Sequence, residues 1–244
     1  MKLGALHRPP PPHRLTAGLS LVGTYQPRDT VDYYSALNLD GSDALGNDRL
    51  SNCVECAFLR LAQARWHRLA PSDPWVPTEA LATALYGQWS DYPAQDIGTD
   101  TVEAANQWLA HGIWIKPNLL DIGPLVNVGV DHVRAATDIA EGCVLILSLH
   151  GGDETAEIWG PVTPGAEVIG AHAVCCLGYD FSGMWVATWG RMMLLTPEGL
   201  AARFLDCLCP ISRLVTDTHG LAPNGQSWGT IVSDLNAIER APNA

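Results

Sequence analysis

The stretch GNDRLSNCVECAF (Gly46 to Phe58), set against AHAVCCLGYDFSGMWVATWG (Ala171 to Gly190), decides how this chain reads. The first puts Cys53 at the head of an apolar-periodic helix. The second puts His172 at the start of a β-hairpin whose return strand ends in Trp-Gly. A thiol is a good nucleophile as its thiolate, and a helix N-terminus with an imidazole partner favours that form. Cys53 and His172 therefore suggest a cysteine-nucleophile site divided between a helix and a sheet.

Composition narrows the field. With 244 residues, 47% of them hydrophobic, the chain can bury a full core in one large domain or in two lobes around a cleft. No apolar run approaches the roughly 18 residues needed to span a membrane. The N-terminal MKLGALHRPPPPHRL is basic without an apolar segment, so no signal peptide is expected, and the expected setting is a bacterial host cytoplasm or a virion. A net charge of −12 argues against binding to a phosphate backbone, so no nucleic acid and no membrane partner are expected. Seven cysteines, an odd number, in a chain of this size fit a reducing compartment better than a disulfide scaffold. Cys53/Cys56 and Cys207/Cys209 invite comparison with a zinc site. However, the second pair is spaced by one residue, with both thiols on one face of a strand, and buried small hydrophobes are the favoured reading. No metal and no cofactor are expected. Cys56, Cys175, Cys176, Cys207 and Cys209 receive no role.

Residues 1–35 are Pro-rich and aperiodic, an extended arm with a polyproline-like RPPPPH run. Such an arm is expected to lie as a strap outside the core or across a neighbouring chain, which makes protein assembly contacts one expectation for it. Residues 36–216 form the main domain. Asn52 is expected to cap a helix from Cys53 to about Leu69 with a buried stripe of Val54, Ala57, Phe58, Leu61 and Ala64. Further helices are expected at Thr78–Trp89, after Asp100 with Glu103 completing a capping box, and in DHVRAATDIAEG, ending at Gly142. Strands follow at 143–149, 172–179, 184–189 and 192–195, with a turn at 180–183. A helix capped by Thr196 and a strand over 207–215 close the domain, and 217–244 form an extension with a short helix. Helices first and strands second define an α+β fold, a helical lobe followed by an antiparallel sheet lobe.

These segments resemble the papain-like cysteine peptidase superfamily, and more closely its phage- and bacterium-encoded members. The matching stretches are GNDRLSNC (Gly46–Cys53), GAHAVCCLGYD (Gly170–Asp180) and VATWGR (Val186–Arg191), and the resemblance covers about residues 40–215. Two neighbouring superfamilies fit less well. The NlpC/P60 peptidases begin their helix Asp-Cys-Ser, and the peptidases of bacteriocin exporters follow the histidine strand with Asp-Pro. The resemblance implies a two-lobe papain-like fold, with Cys53 as nucleophile, His172 as general base and Asn47, in the place of the family's glutamine, as oxyanion donor. Trp189, which with Gly190 closes the partner strand, would support the site. Ala187 stands where the family has the asparagine that orients it, so that group is missing here. Strand alternation puts Ala187 and Trp189 beside His172 and points Thr188 away unless a bulge intervenes. The remaining histidines, His7, His13, His67, His111, His132, His150 and His219, read as surface or loop residues. Two functions follow. One is a hydrolase of peptide or isopeptide bonds acting on peptide or protein substrates. The other is a catalytically weakened module kept as a virion or assembly component.

Overall fold

The structure, a computed structural model, describes residues 2–10, 14, 17–18, 21–22, 25–115, 118–120, 125–211, 220–222 and 225–240. His13, His219, the end of the proline run and the end of the expected 207–215 strand lie outside these residues.

One helix organises the molecule: α1, Cys53–Leu69. Its first thirteen residues are all buried, well beyond the expected stripe. A helix buried on every side must satisfy its polar groups internally. Glu55 accepts from Thr99 Oγ1 at 2.6 Å, and Arg60 donates to Gln63 at 2.8 Å and to Ser42 Oγ at 3.1 Å. Asn52 does not cap it, because its side-chain amide donates instead to the Leu45 carbonyl at 2.9 Å.

Around α1 pack α2 (Glu79–Trp89), capped by Thr78, and α3 (Thr101–His111), capped by Asp100. Asp100 accepts from the Val102 and Glu103 amides, while Glu103 turns to Gln107 instead of closing the box. Gly112, at φ +68°, ends α3 where a side chain would be strained. The short α4 (Val133–Ile139) leads into the sheet.

The sheet contains β2 (Val31–Asp32), β6 (Leu125–Asn127), β7 (Cys143–His150), β8 (Ile158–Trp159), β9 (Val168–Asp180), β10 (Gly183–Thr188), β11 (Arg191–Leu195) and β12 (Phe204–Pro210). They run in the order β6-β12-β7-β9-β10-β11-β8, with β2 against β9. All described pairings in it are antiparallel except β8 on β11, so the sheet is mixed where a wholly antiparallel one was expected. Between β11 and β12 runs α5 (Pro197–Arg203), capped by Thr196 with proline in its first turn. The chain closes with α6 (Trp228–Arg240). Two-stranded pieces join β1 (Ala5–Leu6) to β3 (Thr99–Asp100), and β4 (Ile113–Ile115) to β5 (Asn118–Leu120).

Period-two alternation sends β7 and β9 into two cores. Leu145, Leu147, Val174 and Cys176 enter the core of the sheet lobe, whereas Val144, Ile146, Ala173 and Cys175 pack on α1. This is an α+β fold of two lobes whose shared wall is one sheet. Parts of the N-terminal arm join it: Leu21 and Val22 are buried in the sheet-lobe core, and Tyr25 and Arg28 bond the buried Asp138. Burial pushes the Asp138 carboxyl up, and hydrogen bonds from Arg28 and Tyr25 outweigh that, holding it below the usual carboxylate range.

Candidate active site

Cys53 stands at the first position of α1, where unspent backbone N–H groups point at its side chain. Its sulfur accepts from the Ala173 amide at 3.4 Å, and the amides of Gly4 and Cys53 itself also favour its anion. Burial works the other way and dominates. With 1% of the residue exposed, the thiol is pushed up to about 12 by desolvation, and the Glu55 charge adds to the rise. The thiolate expected from the helix terminus is thus not the resting form in this structure.

Ala173 follows His172 in β9, so the hydrogen bond to Cys53 brings the helix start against the histidine strand. His172 is wholly buried, and desolvation lowers its pKa to about 3, so its ring rests neutral. Nε2 lies 2.7 Å from Thr188 Oγ1, and Nδ1 has no hydrogen-bond partner. The Trp189 ring stacks on the imidazole at 4.5 Å between centroids and 23° between planes. Trp159 meets both rings edge-on.

Thr188, expected to point away, therefore holds the histidine. The register of β10 against β9 shifts between Trp185 and Val186, after which Val186 and Thr188 share the His172 face. Ala187 is carried to the other face, where it packs with Ala173 and Cys175 against the helical lobe. Trp189 returns to the histidine by leaving the strand at φ +47°, an uncommon conformation for a bulky residue. Gly190 follows at φ +73°, where an added Cβ would sit 2.2 Å from the Ser42 carbonyl oxygen. No feature of VATWG announces the bulge. Trp159 was also missed, lying in β8, a two-residue strand too short to show periodicity.

Asn47 and Cys53 line one narrow cavity with Cys56, Arg60, Ala187 and Trp189. Its volume is about 20 Å³, space for roughly one water. Asn47 is buried, and its amide donates to the Leu50 carbonyl at 3.2 Å. Segment 2–6 covers the neighbourhood: Gly4 donates to Cys53 and accepts from Thr99, and Leu3 lies over Gly170. An added Cβ at Gly4 would stand 1.8 Å from the Ser51 carbonyl oxygen, so the strap fits there only as glycine.

Among the other histidines, His67 lies half-buried in α1 and His111 exposed in α3, but His150 departs from expectation. It is buried at the end of β7, and its amide donates to Asp153, which Arg203 holds by a two-pronged ion pair. Cys207 and Cys209 do share a face, their sulfurs 3.8 Å apart and buried. Among the described residues no group of three or more histidine, cysteine or acidic side chains is arranged to hold a metal.

The fold that carries this geometry is similar to solved structures of cysteine proteases. Xylellain, a cysteine protease from Xylella fastidiosa, is similar over 79% of this chain and 88% of its own, with a TM-score of 0.61 at 15% identity. Procathepsin B S9 from Trypanosoma congolense matches 86% of this chain and 82% of its own, at a TM-score of 0.56 and 8% identity. The proform of the ragweed pollen cysteine protease Amb a 11 matches 80% and 69%, at 0.57 and 16% identity. The chain has the papain-like cysteine protease fold. No protein-family model matches the sequence, and no curated protein sequence does.

Proposed function

We propose that the chain is a cysteine-nucleophile hydrolase of peptide or isopeptide bonds, resting in a closed, neutral form. One observation carries the reading: His172 keeps Nδ1 unpaired in a dry site while Thr188 engages Nε2, and the next peptide N–H touches the Cys53 sulfur. A buried unpaired ring nitrogen is costly unless it has work to do. With the proton on Nε2 donated to Thr188, Nδ1 is left as an acceptor; it is not hydrogen-bonded to Cys53 in the closed form, and on this reading it takes the Cys53 proton when the site opens. The thiolate then attacks the carbonyl carbon, the C–N bond breaks, and the imidazolium returns its proton to the leaving amine. Water hydrolyses the resulting thioester and restores the thiol. Asn47 and the Cys53 amide are the proposed donors to the oxyanion, a contribution worth roughly 10²–10³ in rate where one such donor has been removed elsewhere. Trp189 keeps the pair dry.

The test is labelling by an electrophilic peptide near pH 6. Cys53 should be modified well ahead of the other six cysteines, and the preference should vanish in His172→Ala. Labelling of Cys53 no faster than of the other six buried thiols would refute the reading.

A second reading has one observation in its favour: both Cys53 and His172 are sealed from solvent. On this view the chain is a phage-encoded papain-like module kept as an assembly component, residues 1–35 contributing contacts. Light scattering of a chain lacking residues 2–10, which keeps Leu21, Val22, Tyr25 and Arg28 in place, tests it, since a truncated chain that assembles as before excludes that segment from the role.

A further inference from the structure

Segment 2–6 touches both lobes as it passes the Cys53 sulfur, and its contacts differ along its length. Lys2 pairs with Asp96 at 2.5 Å. Leu3 packs on the core of the sheet lobe, whereas Ala5 is buried in that of the helical lobe. Ala5 stands beside Thr99 in parallel register, and the Thr99 amide donates to the Gly4 carbonyl at 2.8 Å. Past the paired residues, Arg8 reaches Asp100. The main chain is thus held by β3, with the Gly4 amide on the sulfur.

Gly4 is the tight point, enclosed by main chain on two sides. An added Cβ there meets the Ser51 carbonyl oxygen, and one on Gly98, at φ +97°, would stand 2.0 Å from the Gly4 carbonyl oxygen. Both obstacles are backbone, which cannot swing aside as the end of a side chain can. Both are also anchored. The Ser51 amide donates to Asp96 at 2.8 Å, and its hydroxyl to the Asp96 carbonyl at 3.3 Å. The Gly98 amide donates to the Tyr86 hydroxyl at 2.9 Å. The passage over the sulfur is as wide as a main chain and no wider.

We propose that this passage sets the substrate class: it admits an extended peptide only where a glycine crosses the Cys53 sulfur, with an aliphatic neighbour against the sheet lobe and a small one against the helical lobe. Segment 2–6 is the resident occupant that displays this requirement. The inference rests on the hydrolase reading and narrows its substrate to peptides with glycine at that residue. A side chain there forces anchored backbone apart and costs the pairing with β3. Asp96 and Asp100, at either end, favour basic flanks. Their ion pairs are partly solvated and discriminate far less than the steric gate.

The experiment follows iodoacetamide modification of Cys53 by mass spectrometry in the full chain carrying Gly4→Val. That change should expel the segment and speed modification about tenfold or more over the parent. The blocked peptide Lys-Leu-Gly-Ala-Leu should then slow it again, saturably, while its counterpart with valine for glycine should not. Both are also run in reversed order, and a glycine preference is expected in at least one chain direction. Because Gly4→Val can disturb folding, the same peptides are compared on Lys2→Glu with Arg8→Glu, which breaks two exposed ion pairs and leaves the core alone. A folded Gly4→Val chain whose Cys53 stays as slow as the parent's overturns the proposal, since the passage then accepts a side chain. Protection by valine peptides equal to that by glycine peptides, or by neither, overturns it as well. Cleavage of the same peptides separates the two readings. Protection without cleavage supports the glycine passage and tells against the hydrolase; cleavage of valine and glycine peptides at one rate supports the hydrolase and overturns the passage.

Discussion

Replacing His172 by glutamine should change how stability depends on pH more than it changes stability itself. The folded-state pKa of about 3 lies below the unfolded value near 6.5, so the unfolded chain binds a proton that the folded chain refuses. Stability contributed this way is present above pH 6.5 and is lost as pH falls toward 3. Between pH 7.5 and 5 the loss integrates to about 2 kcal/mol, at about 1.4 kcal/mol per pH unit beyond the unfolded pKa. Glu55 works in the opposite sense. Burial raises its pKa to about 7, so the unfolded chain releases a proton the folded one keeps, and stability falls by about 2 kcal/mol as pH rises over the same interval. In the parent these two contributions offset each other. His172→Gln removes one of them, so the parent-minus-variant difference in stability should change by about 2 kcal/mol between pH 5 and pH 7.5. Urea unfolding at fixed pH reads this from the midpoint and slope. A parent-minus-variant difference that stays constant within about 0.5 kcal/mol between pH 5 and 7.5 would refute a buried, neutral His172.

Thr188→Val should cost about 1–3 kcal/mol by stranding both ring nitrogens, with Thr188→Ser restoring most of it; equal urea midpoints for the two variants would contradict the bond. If the hydrolase reading holds, the valine variant should also lose turnover, toward the roughly 10⁴ that a wrong histidine tautomer costs a serine protease. Removing residues 2–6 should speed iodoacetamide modification of Cys53, because the strap's amide and bulk leave the sulfur; mass spectrometry of the alkylated site measures it, and an unchanged rate would show that the strap does not shield the thiol. Asp138→Ala should destabilise by about 3–5 kcal/mol, since Arg28, Tyr25 and Tyr179 all lose a shared buried partner, and a chemical-denaturation shift under 1 kcal/mol would be incompatible with that network.

The sequence was legible where a local rule and the tertiary structure agree. Cys53 opens its helix, Asp100 and Thr196 cap theirs, and Gly112 stops α3, because capping is decided within a few residues. The two-lobe papain-like fold followed from the order of helices and strands together with two motifs. What was not legible depends on partners distant in sequence. Asn52 has the right chemistry for a cap, yet the Leu45 carbonyl claims its amide. A register shift between Trp185 and Val186 exchanges the faces of Thr188 and Ala187, and simple alternation cannot anticipate it. The ionisation state of Cys53 was misjudged for a different reason: helix-terminus electrostatics is local, whereas desolvation is set by everything packed above it.

The division of β7 and β9 between two cores has a consequence for how the molecule comes apart. Residues facing one lobe alternate, along the same backbone, with residues facing the other, so neither lobe owns the wall that completes it. A cut between the lobes in sequence would leave each fragment with half of a sheet's faces bare. Loss of register by one residue would bring Ala173 into the sheet-lobe core and His172 against α1, exchanging the two interiors at once. The lobes should therefore melt in a single transition, as one cooperative unit, and limited proteolysis should release neither of them as a folded piece.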